Sequence, residues 1–372
     1  MSPFTNARGL AADHGAPDSR PLFAPSPSDR ALLSFVLATD DDLGPWHDWS
    51  GRTKIAEVEG ATHDLLPALY KRLEQLQYAG DAMGRLRGIY RHNWTRSQQH
   101  RAVARSVSEA LSAAGIPHLG PVDQAASELL SEPGVMPLRR PRVTVPYERS
   151  GVALETLIEA GWTITQPRGG IRSVRARLVR TTWELEDDSG NAVTVANHYN
   201  PALRDREQER AVWERSGAVA GTSARRAAVA DLMFATLTDS PAHAEALRWA
   251  VGSLAIARAH PSGVDLSCVS DTSVARFLLP AVEARLAFLG SVDAENRAIR
   301  DAHQAIRELL GGEPAARGRG VRAGMRLRAD RAVHYLGAAP RLLHRYGGVR
   351  GTWRYLRATG SRSTPGPRVR DR

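Results

Sequence analysis

The chain has 372 residues, 42% hydrophobic but only 6% aromatic, with a formal net charge of +10. That length admits two domains, and the apolar content suffices for a core built largely from Ala, Val and Leu. A single cysteine, Cys268, excludes an internal disulfide and a cysteine-based zinc site, and no apolar run reaches the ~18 residues of a membrane span.

The N-terminus lacks the basic-then-apolar layout of a signal peptide, so the cytoplasm is the expected compartment. Of the 50 basic residues only Lys54 and Lys71 are lysines, which leaves 48 arginines. From Ala315 to Arg372 there are 15 arginines against Asp330 and Asp371, a net +13, so residues 1 to 314 carry +10 minus +13, or −3. The high isoelectric point belongs to the tail.

Residues 1–28 are rich in Pro, Ser, Ala and Gly without periodicity, a composition expected to be disordered. Ser28-Asp29 can cap a first helix over Arg30 to Thr39. Asp40-Asp41-Asp42 reads as an acidic helix end in solvent rather than a metal site, because consecutive side chains point different ways. Trp46 and Trp49 are expected to anchor the turn that follows.

Helices are predicted over Ile55 to Gln77, with a break near Gly60, and over Ala82 to Ala114. Leu65, Leu66, Leu69, Leu73 and Leu76 recur at helical spacing and predict a core-facing stripe. A short helix follows from Gln124 to Leu130, then a turn at Glu132-Pro133-Gly134. Leu138-Arg139-Arg140-Pro141-Arg142-Val143-Thr144-Val145-Pro146 reads as a strand closed by proline, and Glu148 to Ala160 as a helix capped by Gly161. Ala176 to Leu185 alternates as a strand, Asp188-Ser189-Gly190-Asn191 turns, and Ala192 to Ala196 returns as a second strand. Beyond it, helices are predicted over Ala202 to Arg215, Ala224 to Thr238, Ala242 to Ala259, Val274 to Phe288 and Asp293 to Leu310.

This order resembles a bacterial family of uncharacterised nucleotidyltransferases, whose fold is similar to the small catalytic domain of polymerase beta. Ile116-Pro117, Pro133-Gly134-Val135, Val143-Thr144-Val145-Pro146 and Ala160-Gly161-Trp162 occupy the family's frame without gaps. Val195-Ala196-Asn197-His198-Tyr199 lies where the family carries its third metal carboxylate, and Ala246 to Gly252 resembles a later helical motif in which Gly252 stands near the usual aspartate. The resemblance runs from about Ala31 to Leu289. It implies an α+β fold, mostly helical, with a small mixed β-sheet of nucleotidyltransferase type in a larger helical body. Its expected parts are a disordered segment at 1–28, helices at 29–114, the α/β core at 115–200, helices at 201–312 and a basic tail at 313–372.

The frame is kept while the chemistry is exchanged. Arg140 and Arg142 fall on the two aspartates of D-x-D, Ala196 on the third carboxylate, Val122 on the lysine and Asp123 on the glycine after it. Two-metal nucleotidyl transfer needs Mg²⁺ ions about 4 Å apart held by carboxylates. Arginine stays cationic and cannot ligate Mg²⁺. The resemblance therefore implies a pseudoenzyme with no metal, no cofactor and no catalytic residue of the ordinary kind.

Three readings of these positions stand. Arg140 and Arg142, with Arg139 and His198, could form an anion site for a nucleotide or phosphorylated ligand, since arginine grips phosphate bidentately. The arginines could instead be solvated strand-edge groups, and His198 a framework position. Third, a migrated metal site could draw on Asp123, Glu184, Glu186, Asp187 and Asp188. Gly169-Gly170 lacks the strand and helix of a phosphate loop and reads as a turn, and Cys268 as an inert buried thiol.

Expected partners follow from the same resemblance: a nucleotide or phosphorylated ligand, or a partner enzyme in a bacterial pathway for surface polysaccharide or modified peptide. In the tail, Leu342, Tyr346, Val349, Trp353 and Leu356 form an apolar stripe flanked by Arg341, Arg345, Arg350, Arg354 and Arg357. Residues 340–358 suit either packing on the body or an anionic membrane surface. Nucleic acid is disfavoured, because no nucleic-acid module stands beside the charge.

Overall fold

The computed structural model describes residues 27–58, 60–130, 132–166, 182–200, 206–238, 247–267 and 273–311. Residues 1–26, Gly169-Gly170, Cys268 and the basic tail lie outside them, while Pro27 and Ser28, expected to be disordered, belong to the first helix. The described residues form a mostly helical α+β structure around a mixed seven-stranded sheet. Among them, no helix is long and apolar enough to cross a membrane.

Helix α1 (Pro27–Leu37) leads into α2 (Gly44–Ser50), which occupies the place of the expected turn. Pro45 at the start of α2 suits a helical first turn, and the two indoles are buried where a turn would leave them wet. Trp46 stacks on Phe35 at 6.4 Å and on Trp49 at 5.8 Å. Asp40, Asp41 and Asp42 are exposed, and Asp42 accepts from the Gly44 amide at 2.8 Å.

The expected helix from Ile55 to Gln77 is divided into a 3₁₀ turn at Ile55–Glu57, α3 (Gly60–His63) and α4 (Leu66–Gln75). Pro67 sits in the first turn of α4, where its missing N–H costs nothing. Leu65, Leu66, Leu69 and Leu73 are fully buried in the main helical core, as their spacing predicted.

Beside them Lys71 lies over the rings of Tyr70 and Tyr90, at 6.0 and 5.6 Å. Its ammonium bridges Glu132, at 2.9 Å, and Glu74. The two carboxylates hold it far above the ordinary lysine range despite the opposing cost of burial.

Helix α5 (Ala82–Ala113) spans 32 residues. It leads to β1 (His118–Leu119), α6 (Val122–Glu128), β2 (Arg142–Thr144), α7 (Ser150–Glu159) and β3 (Thr163–Gln166). Gly134 turns with φ +86°, and a Cβ there would come within 2.9 Å of the Trp94 backbone, so the Pro133-Gly134 turn needs its glycine. The hairpin of β4 (Thr182–Glu186) and β5 (Ala192–Ala196) pairs as expected through Trp183↔Val195, with the part before Thr182 outside the described residues.

Helix α8 (Arg206–Arg215) is followed by β6 (Gly217–Ala218), β7 (Ala224–Arg226) and α9 (Val229–Leu237). Here the expectation of helix from Ala224 is corrected. Residues 224–226 form a strand because Ala224 and Arg225 pair in parallel with His118 and Leu119. Three helices complete the body: α10 (Arg248–Ala259), α11 (Ser273–Val292) and α12 (Arg297–Gly311).

The strand order is β3-β4-β5-β2-β1-β7-β6, with β2/β5 and β1/β7 parallel and the other neighbours antiparallel. One face of β2, β4 and β5 presents Val143, Trp183, Leu185, Val193 and Val195. These pack on Val103, Val107 and Leu111 of α5 and on Ala153 and Leu157 of α7. Strand alternation turns Arg142, Thr144, Glu184, Thr194 and Ala196 to the opposite face.

Candidate functional site

Strands β2 and β5 run side by side with Arg142 opposite Thr194 and Thr144 opposite Ala196. Their ladder closes where the Val145 amide donates to the Ala196 carbonyl at 2.8 Å. Past that bond β2 continues into Pro146 and a 3₁₀ turn, and β5 into Asn197 and His198. A crevice opens where the two chains part, the place at which open sheets with parallel strands accept ligands, beyond the strands' carboxyl ends.

The crevice has a volume of about 420 Å³. Its walls are Pro146, Tyr147 and Glu148 after β2, Asn197 and His198 after β5, and Glu209, Arg210, Trp213 and Glu214 of α8. Pro117 and Arg225 complete them. On α8 these residues form two adjacent rows at i,i+4 spacing. Glu209 and Trp213 make the inner row, with Glu209 buried, while Arg210 and Glu214 form an exposed rim.

Glu209 is only 7% exposed. Its Oε2 accepts the Tyr199 amide at 2.7 Å and its Oε1 accepts the Trp213 indole N–H at 3.0 Å. Burial pushes its carboxyl up to about 7, against the pull of those two bonds and of the Arg142 charge. Arg142 donates its Nη2 to the His198 carbonyl at 2.8 Å, and His198 Nδ1 lies 3.9 Å from Glu209 Oε2. Asn197 is 1% exposed, and its Oδ1 is buried without a hydrogen-bond partner. An unbonded buried amide oxygen on a cavity wall is the group a ligand donor would satisfy.

Two further charged ties stand beside this centre. Asp231, behind Tyr199, takes a two-point grip from Arg215 at 3.0 and 2.6 Å. Burial and the neighbouring carboxylates of Asp231 and Glu209 keep the Tyr199 hydroxyl far above its usual range. Arg225 ties β7 to the end of α8, donating Nε to Ser216 Oγ at 2.6 Å and Nη2 to the Ser216 carbonyl.

The residues singled out in the sequence take separate places. His198 lines the crevice; Arg139, Arg140 and Arg142 do not. Arg140 pairs with Glu184 of β4 at 2.7 Å, and the Arg139 amide donates to Asp123 Oδ2 at 2.9 Å. Ala196 is fully buried on the same sheet face as Arg142. Three of the five carboxylates of the migrated-site reading have local duties: Asp123 holds the Gln124 and Arg139 amides, Glu184 holds Arg140, and Asp187 holds Ser189 and Asn191 in the hairpin turn. Among the described residues no three His, Cys, Asp or Glu side chains gather to hold a metal ion.

Glu209, Asn197 and Trp213 carried no mark in the sequence beyond the Glu-x-x-x-Trp spacing on one helix face. No family model, no curated protein and no solved structure matches the chain.

Proposed function

We propose that this protein is a catalytically degenerate nucleotidyltransferase-like binding module, which keeps a ligand crevice at the sheet edge and lacks two-metal transfer. The observation that carries the reading is the shared face of two parallel strands. Arg142 and Ala196 stand together there, with Arg140 just ahead of β2 and held by Glu184. These three positions would each need a carboxylate for metal chemistry. Two guanidinium groups and a methyl supply none, and their charge opposes the entry of Mg²⁺. The crevice beside them retains an unbonded amide oxygen and a buried carboxylate, which suit recognition of a small molecule.

Calorimetry with ATP and CTP, with and without Mg²⁺, combined with a pyrophosphate-release assay, tests this. The expected result is no pyrophosphate, and no heat that depends on Mg²⁺. Metal-dependent pyrophosphate release would overturn the reading.

A further inference from the structure

The crevice is charged in a particular way. Its buried end offers two acceptors, Glu209 and Asn197 Oδ1, beside the imidazole of His198. Each carboxylate oxygen of Glu209 receives one hydrogen bond, and a carboxylate has roughly four lone-pair sites, so capacity remains. Its rim, on the next row of the same helix, carries Arg210, exposed and in no ion pair among the described residues. Arg225 is spent on Ser216. Trp213, Tyr147, Pro117 and Pro146 add apolar wall.

Buried acceptors and an exposed cation on adjacent rows of one helix, with aromatic walls beside them, match a molecule that carries an amine and an acid group close together. We infer that the crevice binds a small zwitterion of the amino-acid class, its ammonium seated on Asn197 Oδ1 and Glu209 and its carboxylate on Arg210. A polyanion such as a triphosphate would have to place charge against Glu209 or crowd the rim beside Glu148 and Glu214, a like-charge arrangement that the site disfavours. A plain amine would leave Arg210 without its counter-ion, and a plain acid would leave the deep acceptors unmet. This assignment rests on the crevice being the working site of the binding module proposed above.

The test screens the full chain against the common free amino acids by saturation-transfer NMR. Calorimetry then compares the strongest binder with its decarboxylated amine and its deaminated acid. The expected order is zwitterion first, amine about tenfold weaker, and acid about a hundredfold weaker, since each lost charged contact costs one to two decades. Arg210→Ala, at an exposed position that leaves folding alone, should cost the zwitterion about tenfold and the amine nothing; Glu209→Gln should weaken both about tenfold. The inference is overturned if no amino acid binds, if the acid binds as tightly as the zwitterion, or if Arg210→Ala leaves zwitterion affinity unchanged. A chain that binds ATP or CTP but no amino acid loses this ligand class and remains a binding module. Metal-dependent pyrophosphate release sinks the binding-module reading itself, whichever amino acids bind.

Discussion

Two clusters in this molecule place a glutamate among aromatic rings, and they differ in whether the fold supplies its cation. Around Lys71, the ammonium touches Glu74 and Glu132 and lies against two tyrosines, so every charge has its opposite in contact. Around Glu209, the carboxylate accepts an amide and an indole N–H, His198 Nδ1 stands 3.9 Å away, and Arg142, whose charge favours the carboxylate, spends a donor on a carbonyl. The first cluster is complete and has a structural reason to exist. The second carries an electrostatic cost that the fold leaves standing, and such a cost is typical of sites that meet another molecule.

The largest effect that could break this contrast is a pH dependence. Glu209 ordinarily titrates near 4.5, and in the folded chain near 7. Between those values the folded state keeps a proton that the unfolded state has released, so stability should fall as pH rises from about 4.5 to about 7, then level off. The drop is about 3 kcal/mol, and Glu209→Gln should remove it. His118, which burial holds below its usual range, contributes the opposite slope. Subtracting the variant's denaturation midpoints from those of the parent chain isolates Glu209. A flat difference curve would mean the carboxyl is not buried as described.

The next effect concerns the complete cluster. Lys71→Met removes the shared cation and leaves Glu74 and Glu132 facing each other. Partial exposure of the two carboxylates moderates the cost to about 2 kcal/mol, read as a lower urea midpoint at unchanged slope. An unchanged midpoint would show the cluster to be ornamental. Arg142→Gln should cost about 1 kcal/mol, and should push the Glu209 transition further above 7 by removing a favourable charge near it. If that transition stays put, the arginine does not act on the crevice. Smallest of all, Arg140→Ala should change stability by less than about 0.5 kcal/mol, because its pair with Glu184 is 45% and 33% exposed.

Elements with strong periodicity were legible before the structure. The α5 helix, the β4–β5 hairpin and the buried leucines of α4 follow from spacing alone, because local pattern and tertiary burial agree there. β7 was not legible. Ala224-Arg225-Arg226 favours helix by propensity, and only pairing with β1, about a hundred residues earlier in the chain, makes it a strand. The same distance hid the crevice. Glu209 on a highly charged helix looks solvated, and nothing local says that Tyr199 and Asn197 will close over it. His198 drew notice in the sequence, while its neighbours in the crevice needed three dimensions.

Helix α5 is long enough to reach both cores. At 1.5 Å per residue its 32 residues reach about 48 Å. Leu86 belongs to the main helical core, and Val103, Val107 and Leu111 to the core beneath the sheet. Both bodies are thus fastened to one rod, and no break at residue 114 can release one from the other. They should melt in a single transition. Amides along the rod should open to exchange only with global unfolding, and a gene fragment cut at that point should yield two insoluble halves rather than two domains.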